Sequence, residues 1–470
     1  MTSPLEMGPE EMRRLGYAAV DALVRRWEGL AGDAPWRGAS RAEIEPRLAG
    51  PPPEEGRPPE EVLEQALREI LPLAGRIDHP RFFAFVPSSP TWPSVVGALL
   101  ATGFNVFQGT WLESAGPSQV ELVVLDWFRS WLGYPPGAGG LLTSGGSAAN
   151  LVALVTARET AGSPPGAVVY MSDQGHSSLE RAAKVAGVGS EHVRKLPTGA
   201  DFRMDPEALR EAIRRDRQAG LAPLCACASA GATNTGVTDP LDVLAEVCAD
   251  EGVWFHVDAA YGGFAVLTDE GRRLFRGIER ADSVTLDPHK WLFQPYETGC
   301  LVVRDTERLE RAFRILPEYL QDTAIGAAHV NFADRGVQLT RAFRALRVWM
   351  SVHTFGVAAH REAVQRALDL ARRAAEQVER SPRLELLSPP SLGIVCFRYL
   401  PGEAWEGDLE QLNAAIQDRV VREGTAMMSS TRLRGAYALR LCILNYRSRW
   451  EDVRATLERI EELGGELAPP

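Results

Sequence analysis

Apolar positions between residues 90 and 340 form two alternating patterns, short continuous runs and longer stretches with helical spacing. The short runs are rich in β-branched residues, which is typical of strands buried on both faces. These runs are Val168–Met171, Leu224–Ala228, Val253–Val257, Ser283–Leu286 and Cys300–Val303. The helical stretches between them are Ala148–Glu159, Ser178–Ala186, Pro206–Arg217 and Leu241–Asp250. The alternation predicts a mainly parallel sheet covered by helices on both faces.

The two ends of the chain have other patterns. Residues 8–33 have the spacing of an amphipathic helix, and a Pro-rich connector separates them from a second helix at 59–70. Because this part is too elongated to bury its own apolar face, we expect it to pack on another subunit. Near the other end, a helical stretch runs from Leu339 to Gln377. A small α+β domain is predicted after it, with a helix near 409–422 and strands at 393–399 and 438–443.

Charge and composition exclude several classes of function. A net charge of −11 and a pI near 5.4 argue against nucleic acid or an anionic membrane as the main partner. No signal peptide is visible, and the apolar stretch Val95–Phe104 is too short to span a bilayer, so we expect a soluble cytoplasmic protein. The six cysteines lack metal-like spacing. We interpret Cys225 and Cys227 as small core residues rather than a redox or metal site, and we expect no metal.

The lysine content is unusual. Among 51 basic residues only three are lysines, Lys184, Lys195 and Lys290. The first two lie in polar surroundings typical of the surface, whereas Lys290 is flanked by bulky apolar residues. An amine in such a place can condense with an aldehyde, which a guanidinium cannot. The alternative is a lysine at the edge of the core with its charged end in solvent.

A Gly-Gly-Ser turn opens a predicted helix at Gly145, Gly146, Ser147 and Ala148. Free backbone N–H groups at a helix N-terminus form an anion site. The turn matches neither a Walker A loop nor a dinucleotide-binding fingerprint. An ordinary tight turn with Ser147 as N-cap remains the alternative.

Two further polar residues end apolar strands downstream of this turn. Asp258 closes one strand and is followed by small residues, and Lys290 follows the next strand. An acid at the carboxyl end of a strand in an open α/β sheet can bind a metal, cap a helix or pair with a cationic ring nitrogen. An anion loop, an acid and an amine match the phosphate, the pyridine nitrogen and the aldehyde of pyridoxal 5′-phosphate (PLP). His176, after the strand Val168–Met171, is placed to stack on a cofactor ring, although a lone histidine is more often structural.

From about residue 8 to 455 the sequence resembles the group II PLP-dependent amino-acid decarboxylases. Within them it is most similar to the aromatic-L-amino-acid and histidine decarboxylase branch. The blocks that carry the resemblance are HPRFFAFVP (79–87), LLTSGGSAANLVAL (141–154), DQGHSSLERAAKVAGV (173–188), FHVDAAYGG (255–263), DSVTLDPHKWL (282–292) and RAFRALRVWM (341–350).

The resemblance implies a fold-type I α/β architecture, with a mainly parallel seven-stranded sheet and a small α+β C-terminal domain. It also implies a homodimer with the active site at the subunit interface. We therefore divide the chain into an N-terminal helical segment (1–85) that packs on the partner, a large PLP-binding domain (86–345) and a small C-terminal domain (346–470).

Residue roles also follow from the resemblance. Lys290 is implied to hold PLP as a Schiff base, Asp258 to keep the pyridine nitrogen protonated, and His176 to stack over the ring. The remaining cofactor contacts implied are Gly146, Ser147, Ala148, Thr233, Ala260 and His289. Tyr319, in a Tyr-Leu context, is implied to donate the proton that replaces CO2. Relatives with phenylalanine there form aldehydes, so Tyr319 favours plain decarboxylation; a surface tyrosine is the alternative.

The substrate is predicted from a segment that aligns with the family's pocket. Its members here are Phe85, Val86, Pro87 and Ser88, with Phe107 expected from the other subunit. An apolar, aromatic wall suits tyrosine, dihydroxyphenylalanine, phenylalanine or tryptophan, and it suits glutamate poorly because a second carboxylate needs a paired cation. Packing of these aromatic residues in the core is the competing interpretation.

Two positions depart from the family pattern. Asp287 replaces the asparagine of many relatives and adds a negative charge near the phosphate, so we expect it to be turned away or partly protonated. Gly109 replaces a bulky pocket residue, which would enlarge the pocket towards indoles. The alternatives to an aromatic amino-acid decarboxylase are a decarboxylase of histidine, glutamate or a similar amino acid, an aldehyde synthase or aminotransferase, and a PLP-binding homologue without activity.

Overall fold

The computed structural model describes residues 3–315, 326 and 329–469. Its larger sheet has seven strands within these residues, in the order β1-β7-β6-β5-β4-β2-β3. The strands are β1 (Gly139–Thr143), β2 (Ala167–Ser172), β3 (Val193–Leu196), β4 (Ala222–Ser229), β5 (Trp254–Ala259), β6 (Ser283–Leu286) and β7 (Gly299–Val303). All neighbours are parallel except β7, which runs antiparallel to both β1 and β6. The predicted mainly parallel sheet is confirmed.

Helices pack against this sheet, and several begin at side chains that cap them. Asp205 and Asp305, and Asp408 in the small C-terminal part, each accept a first-turn N–H, which satisfies a donor that the helix itself leaves free. The helices that precede the small domain are α1 (Pro9–Gly29), α2 (Arg41–Leu48), α3 (Pro59–Gln65), α4 (Trp92–Gly103), α5 (Trp111–Trp131), α6 (Gly146–Thr160), α7 (Ser177–Val185), α8 (Pro206–Gln218), α9 (Leu241–Glu251), α10 (Asp269–Leu274), α11 (Pro288–Trp291) and α12 (Thr306–Phe313).

A second, antiparallel sheet of four described strands has the order β10-β11-β9-β8. Its strands are β8 (Leu384–Leu386), β9 (Ile394–Tyr399), β10 (Ser429–Leu433) and β11 (Ala436–Cys442). The helices of this part are α13 (Ala345–Arg380), α14 (Leu409–Arg422) and α15 (Trp450–Leu467). These elements bury their own apolar cluster, as expected for a small α+β unit.

Some elements differ from the sequence-based prediction. The long helix begins at Ala345 rather than Leu339, because the carbonyl of Arg341 accepts the N–H of Gln108 in non-helical backbone. The strands β1, β3, β8 and β10 were not predicted. Two of them have no apolar run to detect: β1 starts with two glycines, and β3 is a half-exposed edge strand with two basic residues.

The N-terminal segment joins the small domain through backbone contacts. Phe83 donates its N–H to the carbonyl of Met427 at 2.7 Å and accepts from the N–H of Cys442 at 2.9 Å. By contrast, α1 has no buried residue among those described, and Tyr17 on it is 68% exposed. No helix in the described ranges is both long and apolar enough to cross a membrane. The division at residues 85 and 345 stays a prediction.

Candidate active site

The predicted cofactor residues meet at one edge of the large sheet, around a cavity of about 320 Å³. Each lies where a strand ends: Gly146 after β1, His176 after β2, Thr233 after β4, Asp258 in β5 and Lys290 after β6. Strands that run in the same direction bring their carboxyl ends to one edge, which is where open α/β sheets bind ligands. The topology therefore collects residues that are up to 144 positions apart in the chain (290 − 146).

Lys290 lies on the short helix α11 and contacts a carboxylate from its own turn. Its Nζ is 2.9 Å from Oδ2 of Asp287, whose side chain is 3% exposed. Burial opposes the charge of the amine, but the carboxylates of Asp287 and Asp258 outweigh it, so the pKa of Lys290 is raised. The other oxygen of Asp287, Oδ1, is buried and has no hydrogen-bond partner among the described atoms. The ion pair was not anticipated: Asp287 faces the amine of Lys290.

The Gly-Gly-Ser turn forms a close-packed wall of the cavity. The helix α6 begins at Gly146. The N–H groups of Gly146 and Ser147 have no acceptor within the helix, whereas those of Ala148 and Ala149 donate to the carbonyl of Gly145 at 3.0 and 3.1 Å. A Cβ on Gly146 would lie 2.9 Å from Cβ of Ala260 and 3.0 Å from Oδ2 of Asp287. Only glycine therefore leaves room here. Ser147 and Ala148, the next two residues, also line the cavity.

His289 lies beside this turn. Its Nδ1 accepts the N–H of Thr298 at 3.3 Å, so the ring hydrogen is on Nε2 when the imidazole is neutral. Nε2 lies 3.6 Å from Oδ2 of Asp287. Burial lowers the pKa of His289, and Asp287 opposes that effect only in part. The result is a neutral N–H donor at the entrance to the helix N-terminus.

Asp258 is held by one donor on each oxygen. Oδ1 accepts the N–H of Ala260 at 3.1 Å, and Oδ2 accepts Nδ2 of Asn150 at 3.0 Å. The side chain is buried and lines the cavity. Among the described residues, no group of three or more His, Cys, Asp or Glu side chains is placed to hold a metal ion. The geometry suits a carboxylate that faces a cationic ring nitrogen.

His176 has a defined orientation. Its Nδ1 accepts the backbone N–H of Ser178 at 3.2 Å, which caps α7, and lies 2.7 Å from the hydroxyl of Ser178. Because a backbone N–H only donates, Nδ1 carries no hydrogen. The ring hydrogen is assigned to Nε2, on the side that remains for the cavity.

A second cavity of about 380 Å³ shares His176, Thr233 and Lys290 with the first and extends to Phe85. Arg440 on β11 lines it, and its guanidinium donates to the carbonyls of Phe85 at 2.6 Å and Thr233 at 2.7 Å. The side chain is buried. Arg440 therefore fixes two loops that surround the shared space.

The predicted substrate residues are only partly brought together in one chain. Phe85 is 64% exposed and lines the second cavity. Pro87 and Ser88 are buried and Phe107 is half-buried, and none of the three lines either cavity. A Cβ on Gly109 would lie 2.5 Å from the ring of Phe107, so this glycine is required by close packing. Tyr319 lies outside the described residues.

Three residues of the site were missed or given no role from the sequence: Asn150, Asp287 and Arg440. Asn150 is four positions after Gly146 on α6, so both share the helix face that meets the cavity. Arg440 is a charged residue inside an apolar strand, a pattern that indicates a buried polar contact. These two signals were available in the sequence.

The residues fit PLP. An amine, a carboxylate and a helix N-terminus of the kind that binds anions line one cavity, and a side chain at Gly146 would collide with Ala260 and Asp287. These three groups match the aldehyde, the ring nitrogen and the phosphate of the cofactor.

Comparisons with known proteins agree with this geometry. The family model described as the pyridoxal-dependent decarboxylase conserved domain matches residues 45–400. An aromatic-L-amino-acid decarboxylase of Bacillus atrophaeus is 39% identical over 100% of this chain and 98% of its own length. A phenylacetaldehyde synthase of Petunia hybrida is 31% identical over 93% of this chain and 91% of its own. A crystal structure of Oryza sativa TDC with PLP and tryptamine superposes with a TM-score of 0.94 at 30% identity, covering 100% of both chains.

These matches confirm the predicted fold class, the cofactor and the type of enzyme. The family model covers most of the chain, and the relatives match along nearly all of it. This chain belongs to the pyridoxal-dependent decarboxylase family and is a PLP-dependent amino-acid decarboxylase.

Proposed function

We propose that the protein decarboxylates an aromatic L-amino acid to the amine and CO2, with PLP attached to Lys290. The observation that carries the proposal is the shared cavity that Lys290, Asp258, His176 and the N-terminus of α6 line together. When bound, PLP supplies an aldehyde that condenses with amines and a ring that accepts the electron pair of the breaking bond.

The amine of Lys290 would hold the cofactor through its aldehyde, and the amine of the substrate would compete for the same carbon. Asp287 stays beside Lys290 at 2.9 Å and favours its protonated form. Asp258 would favour a protonated ring nitrogen, and the cationic ring would supply the electron acceptor for the bond to the carboxylate. Asp258 and Lys290 thus act at two different atoms of the same cofactor.

The remaining predicted contacts surround the cofactor. The N–H groups of Gly146 and Ser147, with the Nε2–H of His289, would offer donors to the phosphate, while Ala148, whose N–H donates to the carbonyl of Gly145, would line its site. Ala260, His176 and Thr233 also line the cavity, and Ala260 and His176 would pack against the ring of the cofactor. His176 also presents Nε2–H to the substrate carboxylate.

The charges around the two cavities favour an aromatic over an acidic substrate. Among the described residues that line them, the side chains that carry a permanent or raised positive charge are Lys290 and Arg440. Carbonyl oxygens and the hydroxyl of Ser429 already accept the N–H groups of Arg440. The second carboxylate of glutamate would therefore lack an unpaired cation. An aromatic side chain needs none, and Phe85 offers it an apolar contact.

A substrate panel tests the proposal. Purified enzyme is mixed with phenylalanine, tyrosine, dihydroxyphenylalanine, tryptophan, histidine and glutamate, and CO2, amine, aldehyde and ammonia are measured. The expected result is CO2 and amine in equal amounts from an aromatic substrate. Transamination without CO2 would remove the assignment, and aldehyde as the main product would favour the aldehyde-synthase alternative that the Petunia relative suggests.

We propose Tyr319 as the donor of the proton that replaces CO2 on the substrate's α-carbon. In air-saturated buffer, the Tyr319→Phe variant is expected to form less amine and more aldehyde from the same substrate, with O2 as the oxidant and ammonia released, while CO2 release continues. Equal amine yields from Tyr319→Phe and the wild type would contradict this role. The control is Tyr17→Phe, because Tyr17 is exposed on α1 and far from the cavity in sequence.

A homodimer with the active site at the interface also remains a proposal. It is supported by large apolar residues left exposed in one chain, among them Phe104 at 80% and Leu99 at 60%. Light scattering is expected to give twice the chain mass of 51.4 kDa. A monomer that decarboxylates at full rate would exclude it. We also propose a cytoplasmic location, since all six cysteines are unpaired and buried, as in a reducing compartment.

A further inference from the structure

Behind Asp258 lies a buried set of hydrogen bonds centred on Asn150. The side chain of Asn150 is fully buried and makes four contacts. Its Nδ2 lies 3.0 Å from Oδ2 of Asp258 and 2.9 Å from Oγ of Ser178. Its Oδ1 lies 2.7 Å from Oγ1 of Thr285 and 3.0 Å from Nε2 of His256. Both N–H groups and both lone pairs of the amide oxygen are therefore used.

The chemistry of the partners fixes which way the amide points. An ionised carboxylate only accepts, so the NH2 group of Asn150 must face Asp258. Its oxygen then faces Thr285 and His256, which both must donate. A flipped amide would put its oxygen against Asp258 and its NH2 against two donors. One orientation of Asn150 is therefore far more stable than the other.

The orientation of the Asn150 amide also determines which nitrogen of His256 carries the hydrogen. Nε2 of His256 donates to Asn150, so its Nδ1 accepts from the hydroxyl of Ser283 at 2.8 Å. That hydroxyl in turn accepts the indole N–H of Trp254 at 2.9 Å. Burial lowers the pKa of His256 to about 4, which keeps the imidazole neutral and this pattern intact. Each group thus has one defined role as donor or acceptor.

The second N–H of Asn150 contacts another residue that lines the cavity. It donates to Oγ of Ser178, which leaves the serine hydrogen for Nδ1 of His176. The amide of Asn150 therefore contacts both Asp258 and Ser178, and the hydroxyl of Ser178 contacts His176. No part of the decarboxylation chemistry proposed above uses Asn150 directly.

We propose that Asn150 is a positioning residue that holds the carboxylate of Asp258 in the orientation that pairs with the pyridine nitrogen of PLP. This inference rests on the proposed function, in which Asp258 is the partner of the ring nitrogen. Asn150 does not touch the reacting atoms. It acts through Asp258, and Thr285 and His256 act through Asn150.

The test measures cofactor affinity and needs no turnover. Apoenzyme is titrated with PLP and with 1-deaza-pyridoxal 5′-phosphate, in which a C–H replaces the ring nitrogen, and the two dissociation constants are compared. Asn150→Ala is expected to weaken PLP by about tenfold or more and the deaza analogue by less than about threefold. The reason is that only the ring nitrogen depends on the orientation of Asp258.

Asn413→Ala is the matched control. Asn413 is also fully buried and holds the backbone of Tyr399, but it lies in the small domain. Its loss is expected to lower the melting temperature without changing the ratio of the two dissociation constants. If Asn150→Ala weakens both cofactors equally, as a general loss of structure would, Asn150 is not a positioning residue.

Two further variants complete the design. Thr285→Val removes one donor that fixes the amide while keeping the shape of the side chain, and it is expected to lower PLP affinity selectively but less than Asn150→Ala does. It keeps the inference testable if Asn150→Ala does not fold, and equal effects on both cofactors would then overturn it. Asp258→Asn must itself discriminate between PLP and the deaza analogue. If Asp258→Asn discriminates and Asn150→Ala does not, the inference alone fails. If Asp258→Asn does not discriminate, the proposed role of Asp258 fails.

Discussion

Two ion pairs in this molecule have similar distances between their charged atoms but different exposure and different hydrogen-bond partners. In the first, Nη2 of Arg341 lies 2.6 Å from Oε1 of Glu121, and both side chains are at most 1% exposed. In the second, Nζ of Lys290 lies 2.9 Å from Oδ2 of Asp287, and the lysine side chain is 22% exposed. The first joins α5 to the segment before α13, and the second lies at the cofactor cavity.

The surroundings of each pair indicate its role. Arg341 also donates to the carbonyls of Gln108 at 3.1 Å and Leu142 at 2.8 Å, and Glu121 accepts the N–H of Leu142 at 2.7 Å. A guanidinium keeps its charge, and extra hydrogen bonds offset the cost of burying it. Among the described residues, the amine of Lys290 has Asp287 as its hydrogen-bond acceptor and no carbonyl acceptors like those of Arg341. An amine can also lose its proton and form a covalent bond. The pair of Arg341 and Glu121 therefore supports the fold, whereas the pair of Lys290 and Asp287 belongs to the reactive site.

Replacing Lys290 should have the largest effect on function and a smaller effect on stability than replacing Arg341, because Lys290 is 22% exposed and Asp287 lines the cavity. Lys290→Ala removes the amine that holds the cofactor, so decarboxylation is expected to fall by about a thousandfold or more. Borohydride reduction should no longer attach the cofactor to the chain, as judged by mass spectrometry. The control is Lys195→Ala, because Lys195 is half-exposed on β3 and pairs with Glu180. Covalent trapping in Lys290→Ala would contradict the assignment.

Replacing Arg341 should show the reverse pattern. Arg341→Met leaves Glu121 buried without a counter-charge, which is expected to cost about 3–5 kcal/mol of unfolding free energy. Urea denaturation measures the loss, and the decarboxylation rate of the protein that remains folded should change little. The double variant Arg341→Met with Glu121→Gln should recover part of the loss, because no unpaired charge then remains. A single variant as stable as the wild type would show that this pair does not stabilise the fold.

The two ion pairs also show which features of the fold and the site can be predicted from the sequence. Apolar runs predicted the central strands, and the strand ends placed Asp258 and Lys290 on one edge, because both signals are local in the chain. The pair of Arg341 and Glu121 spans 220 positions, and no local pattern predicts it. Asp287 was noticed as an extra charge, but its contact with Lys290 depends on how α11 turns after β6. Contacts between residues far apart in sequence, and turns of a few residues, need the structure.

His256 extends the comparison to a buried base whose partners are an amide and a hydroxyl. Burial lowers its pKa from 6.5 to about 4, so the unfolded chain binds a proton between these values that the folded protein does not. This contribution to stability is present above pH 6.5 and is lost as the pH falls towards 4. Relative to His256→Gln, the wild type should lose up to about 3 kcal/mol of unfolding free energy over this range. Urea denaturation of both proteins at several pH values measures this change. A difference in unfolding free energy between wild type and His256→Gln that stays constant with pH would refute the prediction.

Asp287→Asn should have the smallest effect, because it removes the charge of the second pair and keeps its shape. Without the carboxylate, burial dominates and the pKa of Lys290 falls, so the reactive neutral amine appears at lower pH. The rate at which PLP becomes trapped on the apoenzyme by borohydride, followed against pH, should shift to lower pH, while decarboxylation stays within about tenfold. Glu310→Gln, which removes a partner of Arg335 on α12, serves as the control. An unchanged pH profile in Asp287→Asn would mean that the 2.9 Å contact does not set the pKa of the Lys290 amine. The difference between the two ion pairs would then come from the cation, an amine in one and a guanidinium in the other.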